Sequence, residues 1–168
     1  SSNGFMETNV STEQRYHRFL ELLAEIDTLK NLGALLGWDQ QVWLPQAAHS
    51  ERGAQASLIS QWAHARFTSA MMEDLLGALT DASEELSADG VVNVRETKRN
   101  YDREKRLSPK LVAEMSEAFS RGYEVWLVAK QDADFKRFAP CLKRNVELQL
   151  EAAQCYGFDG EPYDALLE

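Results

Sequence analysis

Histidine is the side chain in this sequence best suited to hold a catalytic metal ion, and the chain has three: His17, His49 and His64. A helical zinc peptidase places two histidines one turn apart and a glutamate beside the first, so that two imidazoles hold zinc while the carboxylate activates water. No two of these histidines lie one turn apart in the sequence. We therefore predict surface histidines, and expect neither a metal ligand nor a catalytic residue from this chain.

The surroundings of the histidines and cysteines argue against two further kinds of chemistry. A di-iron helical bundle needs a glutamate three residues before a histidine, whereas those positions hold Gln14, Gln46 and Gln61. Cys141 and Cys155 fall on one predicted helix, away from any histidine, which favours buried structural thiols over a nucleophile. Their separation along that helix, about 20 Å, is too long for a disulfide, so the pair suits a reducing cytoplasm.

The most distinctive stretch is Trp38-Asp39-Gln40-Gln41-Val42-Trp43-Leu44-Pro45, which carries two indoles and a carboxylate. Pro45 disfavours a helical conformation at the residue before it, so the pattern predicts a turn. In one interpretation the turn is buried, with Trp38 in the core and Asp39 capping free amides. In the other, the segment lies at the rim of a groove. We favour the buried turn.

A second polar motif is Tyr101-Asp102-Arg103 followed by Glu104. These side chains could line a polar cleft. A solvated helix face with ion pairs explains the same pattern more simply, because charges at helical spacing form such pairs on exposed helices. We favour the solvated face.

Composition limits the class of protein. The chain has 168 residues, of which 44% are hydrophobic, and this suits one domain with a real core. Its formal net charge of -9 is the wrong sign for binding nucleic acid. No apolar run approaches the roughly 20 residues that span a bilayer. We therefore expect a soluble, cytoplasmic protein with neither nucleic acid nor membrane as a partner.

Apolar residues recur at steps of three and four through most of the chain, which predicts helices. A capping box at Ser11 and Gln14 begins a long helix that ends near Gly37. A helix over 50–67 is expected to bury four residues: Leu58, Ile59, Trp62 and Ala63. A shorter helix, capped by Thr68, ends near Leu79.

Three more helices are predicted in the second half. One covers about 87–106. The next starts at Ser108-Pro109, because serine accepts hydrogen bonds from the free amides of the first turn and proline has no N–H that would be left without a partner. Asp132 and Asp134 interrupt this helix. Its expected apolar face is Val112, Met115, Phe119, Gly122, Trp126 and Ala129. The last begins around Pro140, ends at Gly157 and has an expected apolar face of Leu142, Val146, Leu150 and Ala153.

These elements predict an all-α fold of five to six mostly antiparallel helices joined by short loops. We interpret residues 1–5 as sequence added by cloning, and residues 6–168 as a single helical domain. Residues 163–167 have the pattern of a helix that has just begun. We therefore expect the domain to be truncated at its carboxyl end.

Several motifs together resemble the carboxypeptidase Taq family of zinc peptidases. The first group is Leu36-Gly37-Trp38-Asp39-Gln40, Leu44-Pro45 and Arg52. The next is Tyr101-Asp102-Arg103, Pro109, Leu111 and Trp126. The last is Asp134-Phe135, Phe138-Ala139-Pro140, Leu142, Gly157 and Pro162-Tyr163-Asp164-Ala165-Leu166-Leu167. They occur in the family's order from about Tyr16 to the end of the chain, although Leu44 stands where the family often has methionine.

The resemblance implies the amino-terminal helical part of a metallocarboxypeptidase that removes carboxyl-terminal residues from peptides. Such enzymes are mainly helical homodimers, and their zinc is held by a His-Glu-x-x-His helix and a later glutamate, all downstream of the segment matched here. It implies that this chain forms a wall or lid of the substrate channel and is inactive alone. Structural or groove candidates are Trp38, Asp39, Gln40, Pro45 and Arg52. The alternative is a standalone, non-catalytic helical interaction module.

Overall fold

The computed structural model describes residues 10–42 and 49–167, and in those ranges it contains helices and turns without a β-strand. The helices are α1 (Thr12–Val42), α2 (His49–Phe67), α3 (Ala70–Asp81), α4 (Ala88–Glu104), α5 (Pro109–Gln131), α6 (Phe135–Tyr156) and the short α7 (Asp164–Leu167). A 3-10 turn, Ser83–Glu85, lies before α4. The predicted all-α class is confirmed. Residues 1–5, read as added sequence, lie outside the described residues.

Local capping decides where most helices begin. The Gln14 amide donates to Ser11 Oγ (3.2 Å), and the Ser11 amide donates to Gln14 Oε1 (3.0 Å), so the predicted capping box is present. The Leu111 amide donates to Ser108 Oγ (3.1 Å) ahead of α5, as predicted. The cap predicted at Thr68 is wrong by one residue. The Thr68 hydroxyl donates back to the His64 carbonyl and ends α2, while Ser69 caps α3.

Two helices extend further than predicted. The first continues through Val42 rather than ending near Gly37, so the turn predicted from Trp38 onward is wrong as far as Val42. The restriction from Pro45 acts on Leu44 alone, which lies outside the described residues, and it places no limit on Trp38. The last long helix begins at Phe135, capped by Asp134, and contains Pro140 within it. Because Pro140 has no backbone N–H, it removes one helical hydrogen bond, and this bond lies near the exposed start of the helix.

The first hydrophobic cluster joins side chains of α1, α3 and α4 with Phe67, the last residue of α2. Phe19, Leu22, Met72 and Leu79 have no exposed surface, and Tyr101 completes the cluster from α4. The Tyr101 ring meets the Phe67 ring edge-on at 6.2 Å between centroids. Side chains from these helices thus pack closely around Leu22 and Ile26.

The helices α1, α2, α5 and α6 pack in that order as neighbours. Ion pairs and hydrogen bonds show that neighbours run antiparallel. Asp39 pairs with Arg52 near one end of the α1–α2 contact, and Glu25 pairs with Arg66 towards the other. A second, smaller cluster joins α5 and α6 around four buried residues: Leu107, Leu111, Leu148 and Ala152. The buried Gly122 allows this contact, because a Cβ there would lie 3.0 Å from Asn145 Nδ2.

Several apolar residues predicted as core are exposed because this layer is one helix thick. On α2, Leu58 and Trp62 are exposed, Ala63 is buried and Ile59 is half-buried. On α5, Phe119 is 73% exposed and Trp126 is 37% exposed. On the predicted apolar face of α6, Leu142, Val146 and Leu150 are exposed and Ala153 alone is buried. Within the described ranges, no helix is long and apolar enough to cross a membrane.

Candidate functional site

A groove of about 760 Å³ lies between α1 and α5. Helix α2 packs against both and forms its floor. The floor side chains are small or aliphatic and include Ala56, Ile59 and Ala63. Half of the α1 residues that line the groove have little or no side chain: Gly33, Ala34 and Gly37. Because these residues leave space beside the α1 backbone, the groove is open and mostly apolar.

Two exposed aromatic side chains stand on opposite walls of this groove. Trp38 on α1 is 55% exposed, and Phe119 on α5 is 73% exposed. Tyr123, which contacts Trp126 with ring centroids 5.8 Å apart, extends the α5 wall. Trp38 is therefore not in the core, and its predicted burial is wrong. Sequence periodicity also misplaced Phe119, since spacing places a residue on a face without saying what covers that face.

The far end of the groove is closed by Glu104, Leu107 and Tyr156. Behind it lies His64, which is buried, so the surface location predicted for this histidine is wrong. Its Nε2 lies 3.0 Å from the Glu104 carbonyl oxygen. A carbonyl can only accept, so Nε2 carries the proton and donates. Burial raises the pKa of the Tyr156 hydroxyl above its usual range.

Asp39 ties α1 to α2. Its carboxylate lies 2.6 Å from the Arg52 guanidinium, and both side chains are partly shielded from solvent. The predicted role in capping free amides is wrong, because Asp39 sits inside α1, where the amides are already bonded. Asp39 and Arg52 thus hold the two helices that form one side and the floor of the groove.

The structure describes only some of the remaining residues singled out from the sequence. The side chain of Gln40 and all of Pro45 lie outside the described residues, as do the side chain of His49 and the whole of Gln46. His17 is exposed and pairs with Glu21 at 3.4 Å, as expected of a surface histidine. Cys141 and Cys155 are free and only half-buried, so their predicted burial is partial.

The Tyr101-Asp102-Arg103 motif divides its side chains between three environments. Asp102 is exposed and pairs with Lys98 (2.8 Å), in keeping with the predicted solvated face. Tyr101 is instead buried in the first cluster. The Arg103 guanidinium lies 4.0 Å from the Tyr156 ring centroid and donates to the Ala165 carbonyl. Arg103 and Asp102 both line a second cavity, of about 990 Å³, between α4 and the segment leading to α7, so these two side chains also fit the alternative interpretation of a polar cleft.

The groove offers apolar and aromatic contacts with a few polar groups at its closed end, which suits binding of an elongated, partly apolar ligand. Among the described residues, no group of three or more His, Cys, Asp and Glu side chains is arranged to hold a metal ion. The geometry therefore describes a binding surface.

Comparison with known proteins gives one consistent result. The family model for carboxypeptidase Taq (M32) metallopeptidases matches residues 18–168. Thermostable carboxypeptidase 1 of Thermus thermophilus is 30% identical over 170 residues, covering 95% of this chain and 33% of that protein. Carboxypeptidase 1 of Bacillus subtilis is 27% identical over 150 residues, covering 89% of this chain and 30% of that protein.

Solved structures agree with this match. The crystal structure of BsuCP superimposes with a TM-score of 0.88 at 27% identity, covering 91% of this chain and 31% of that one. The carboxypeptidase of Pyrococcus furiosus gives a TM-score of 0.68 at 26% identity, over 95% of this chain and 32% of that one. The chain thus spans about a third of the length of the relatives it matches.

Proposed function

Because the chain belongs to the carboxypeptidase Taq (M32) metallopeptidase family, we propose that it forms one wall of the peptide channel in a longer, metal-dependent carboxypeptidase. In this proposal the longer enzyme removes single residues from the carboxyl ends of peptides. It acts as a homodimer in the cytoplasm. The chain's own part is to bind and align the peptide while the reaction takes place elsewhere.

The observation that carries this proposal is the pair of exposed aromatic side chains on opposite walls of the groove, Trp38 and Phe119. Aromatic rings supply large contact areas to side chains of many shapes, which suits an enzyme that accepts varied peptides. The small residues of the α1 wall leave room for an extended backbone between them. The ion pair of Asp39 and Arg52 keeps α1 and α2 in register beneath it.

The metal of the family does not fit the described residues of this chain, since they bring together no set of three ligands. In the proposal, the ligands come from the part of the enzyme that this chain does not contain. The chemistry that a divalent metal held there would supply is Lewis-acid polarisation of a peptide carbonyl. This chain contributes position and contact alone.

The division of labour is tested with the isolated chain of 168 residues. We expect no peptide hydrolysis with or without added zinc, and no stoichiometric zinc by elemental analysis after dialysis. One tightly held zinc per chain, or measurable hydrolysis, would contradict the proposal. A reading frame that closes directly after Glu168 would also contradict it, in favour of a standalone interaction module.

The channel-wall role is tested in the longer enzyme with Phe119→Ala. Since Phe119 is 73% exposed, its truncation leaves the fold intact. It should raise KM for peptides about threefold to tenfold, or about 0.7–1.4 kcal/mol of binding. The kcat should stay unchanged, because the contact is equal in ground and transition states.

Leu35→Ala is the matched control, because Leu35 is an exposed apolar residue of α1 that does not line the groove. It should leave both constants unchanged. An unchanged KM in both Phe119→Ala and Trp38→Ala would refute the channel-wall role.

A further inference from the structure

The helix α6 has two apolar faces, and only one of them is covered. Leu148 and Ala152 are buried in the cluster with α5. Leu142, Val146 and Leu150 are spaced four residues apart, so they share a second face of the same helix. Their exposed fractions are 41%, 50% and 42%. We call these three residues, with Phe135 seven positions before Leu142, the outer stripe.

The outer stripe is unusual for a helix at the edge of a domain. Solvent-facing positions of such helices are normally polar, and a continuous exposed apolar row marks an interaction surface. Phe135 is 66% exposed and extends the row to the start of α6. Beside the row, Lys143 and Glu147 form an exposed ion pair, 3.8 Å apart. The stripe is therefore an apolar surface bordered by charge.

The chain beyond α6 is held close to one end of this stripe. Ala153, the next position on the same face, is fully buried, and α7 packs against α6. Arg103 donates to the Ala165 carbonyl in α7, and Arg106 donates to the Tyr156 carbonyl at the end of α6. These two arginines of the α4 region fix where the polypeptide stands when it leaves α7.

We propose that, in the longer protein, the outer stripe is covered by an amphipathic helix from the segment that follows α7. This inference rests on the proposed function, since it requires the longer enzyme. The relatives supply ample chain for it, because this chain spans about a third of their length. Consecutive helices usually lie next to each other, and α7 packs against α6. The partner's matching chemistry is an apolar face flanked by charged residues.

Cysteine labelling tests the proposal in the isolated chain and in the longer protein. Cys141 and Cys155 are first replaced by alanine, and Val146→Cys is then introduced. Glu151→Cys is the matched control, because it is exposed on the same helix about 140° around the axis from the stripe. Both cysteines should react equally with a maleimide in the isolated chain. In the longer protein, Val146→Cys should react at least about tenfold more slowly, while Glu151→Cys keeps its rate. Leu150→Cys reads the same surface if Val146→Cys does not fold.

Equal labelling of Val146→Cys in both proteins, with peptidase activity retained, would overturn the covering helix and leave the proposed function standing. Protection of Val146→Cys in a longer protein without peptidase activity would support the covering helix and refute the proposed function. Protection in the isolated chain that grows with protein concentration would overturn the inference in favour of a second copy of this chain.

Discussion

The two hydrophobic clusters differ in how completely they close. The cluster of α1, α3 and α4 surrounds Leu22, Met72 and Leu79 until none of their surface is exposed. The cluster of α5 and α6 has four buried residues, and both of its helices keep apolar side chains in solvent. The first region has the larger buried cluster, although Met71 on α3 and Val92 on α4 are 40% and 47% exposed. The second exposes a groove wall on α5 and the outer stripe on α6.

The difference follows from how many helices contribute side chains to each cluster. In the first region, α1, α3, α4 and the last residue of α2 all contribute to one set of buried side chains. In the layer of α1, α2, α5 and α6, a helix buries only the sides that face its neighbours. The faces above and below the layer remain available. One of them carries the groove, which is the surface that we propose for peptide binding.

The largest expected effect is in the closed cluster. Leu22→Ala should lower the free energy of unfolding by about 3–5 kcal/mol, because it leaves a cavity among fully packed neighbours. Urea unfolding of the isolated chain measures this loss. Leu20→Ala, two residues away and 40% exposed, should cost less than about 1 kcal/mol. Equal losses from the two variants would mean that the first region is not closed.

A smaller loss is expected from the open layer. Leu148→Ala should cost about 2–3 kcal/mol, because Leu148 is 1% exposed but has a smaller cluster around it. Val146→Ala, two positions earlier on the outer stripe, should cost under about 1 kcal/mol in the isolated chain. A loss from Val146→Ala that matched the Leu148 value would show that the stripe is already covered.

The ion pair beneath the groove should have a modest effect. A double-mutant cycle with Asp39→Ala and Arg52→Ala should give a coupling of about 1 kcal/mol, since both side chains are partly shielded. The more exposed pair of Lys98 and Asp102 should give about 0.3–0.5 kcal/mol. Raising the salt concentration should weaken both couplings, and the exposed one more. A larger coupling for Lys98 and Asp102 would mean that the Asp39–Arg52 pair does not hold α1 to α2.

The smallest expected effect depends on pH at the junction of α3 and α4. A hydrogen bond from Lys105, and its charge, lower the pKa of the Glu73 carboxyl below its ordinary value of 4.5. A carboxyl with a lowered pKa stabilises the fold above its unfolded pKa, and this contribution is lost as the pH falls through the folded pKa. The stability difference between the wild type and Glu73→Gln should therefore be constant above about pH 5 and shrink in acid. Lys105→Gln should abolish this pH dependence, and its persistence there would assign it to another group.

Features set by neighbours along the chain could be predicted from the sequence. Three such features are the capping box of Ser11 and Gln14, the helix start at Ser108-Pro109 and the helix end at Gly157. Each depends on residues within a few positions of the backbone groups concerned. The ordered motifs from Leu36 to Leu167 predict the family, and the family match confirms that prediction. Asp39 and Arg52 are both candidates from the sequence, and the structure places their charged groups 2.6 Å apart. Gln40 and Pro45 remain predictions.

The three-dimensional contacts decided what the period of apolar residues could not. Phe119 and Val146 belong to the same predicted apolar faces as Ala129 and Ala153, yet the first two are exposed and the last two are buried. His64 is predicted at the surface, but it is buried because the end of α4 packs over it. The Glu104 carbonyl there accepts a hydrogen bond from His64 Nε2. Spacing determines which residues share a helix face, and that information is local to the chain. Whether another helix covers that face depends on distant segments, and here that coverage separates the closed core from the groove.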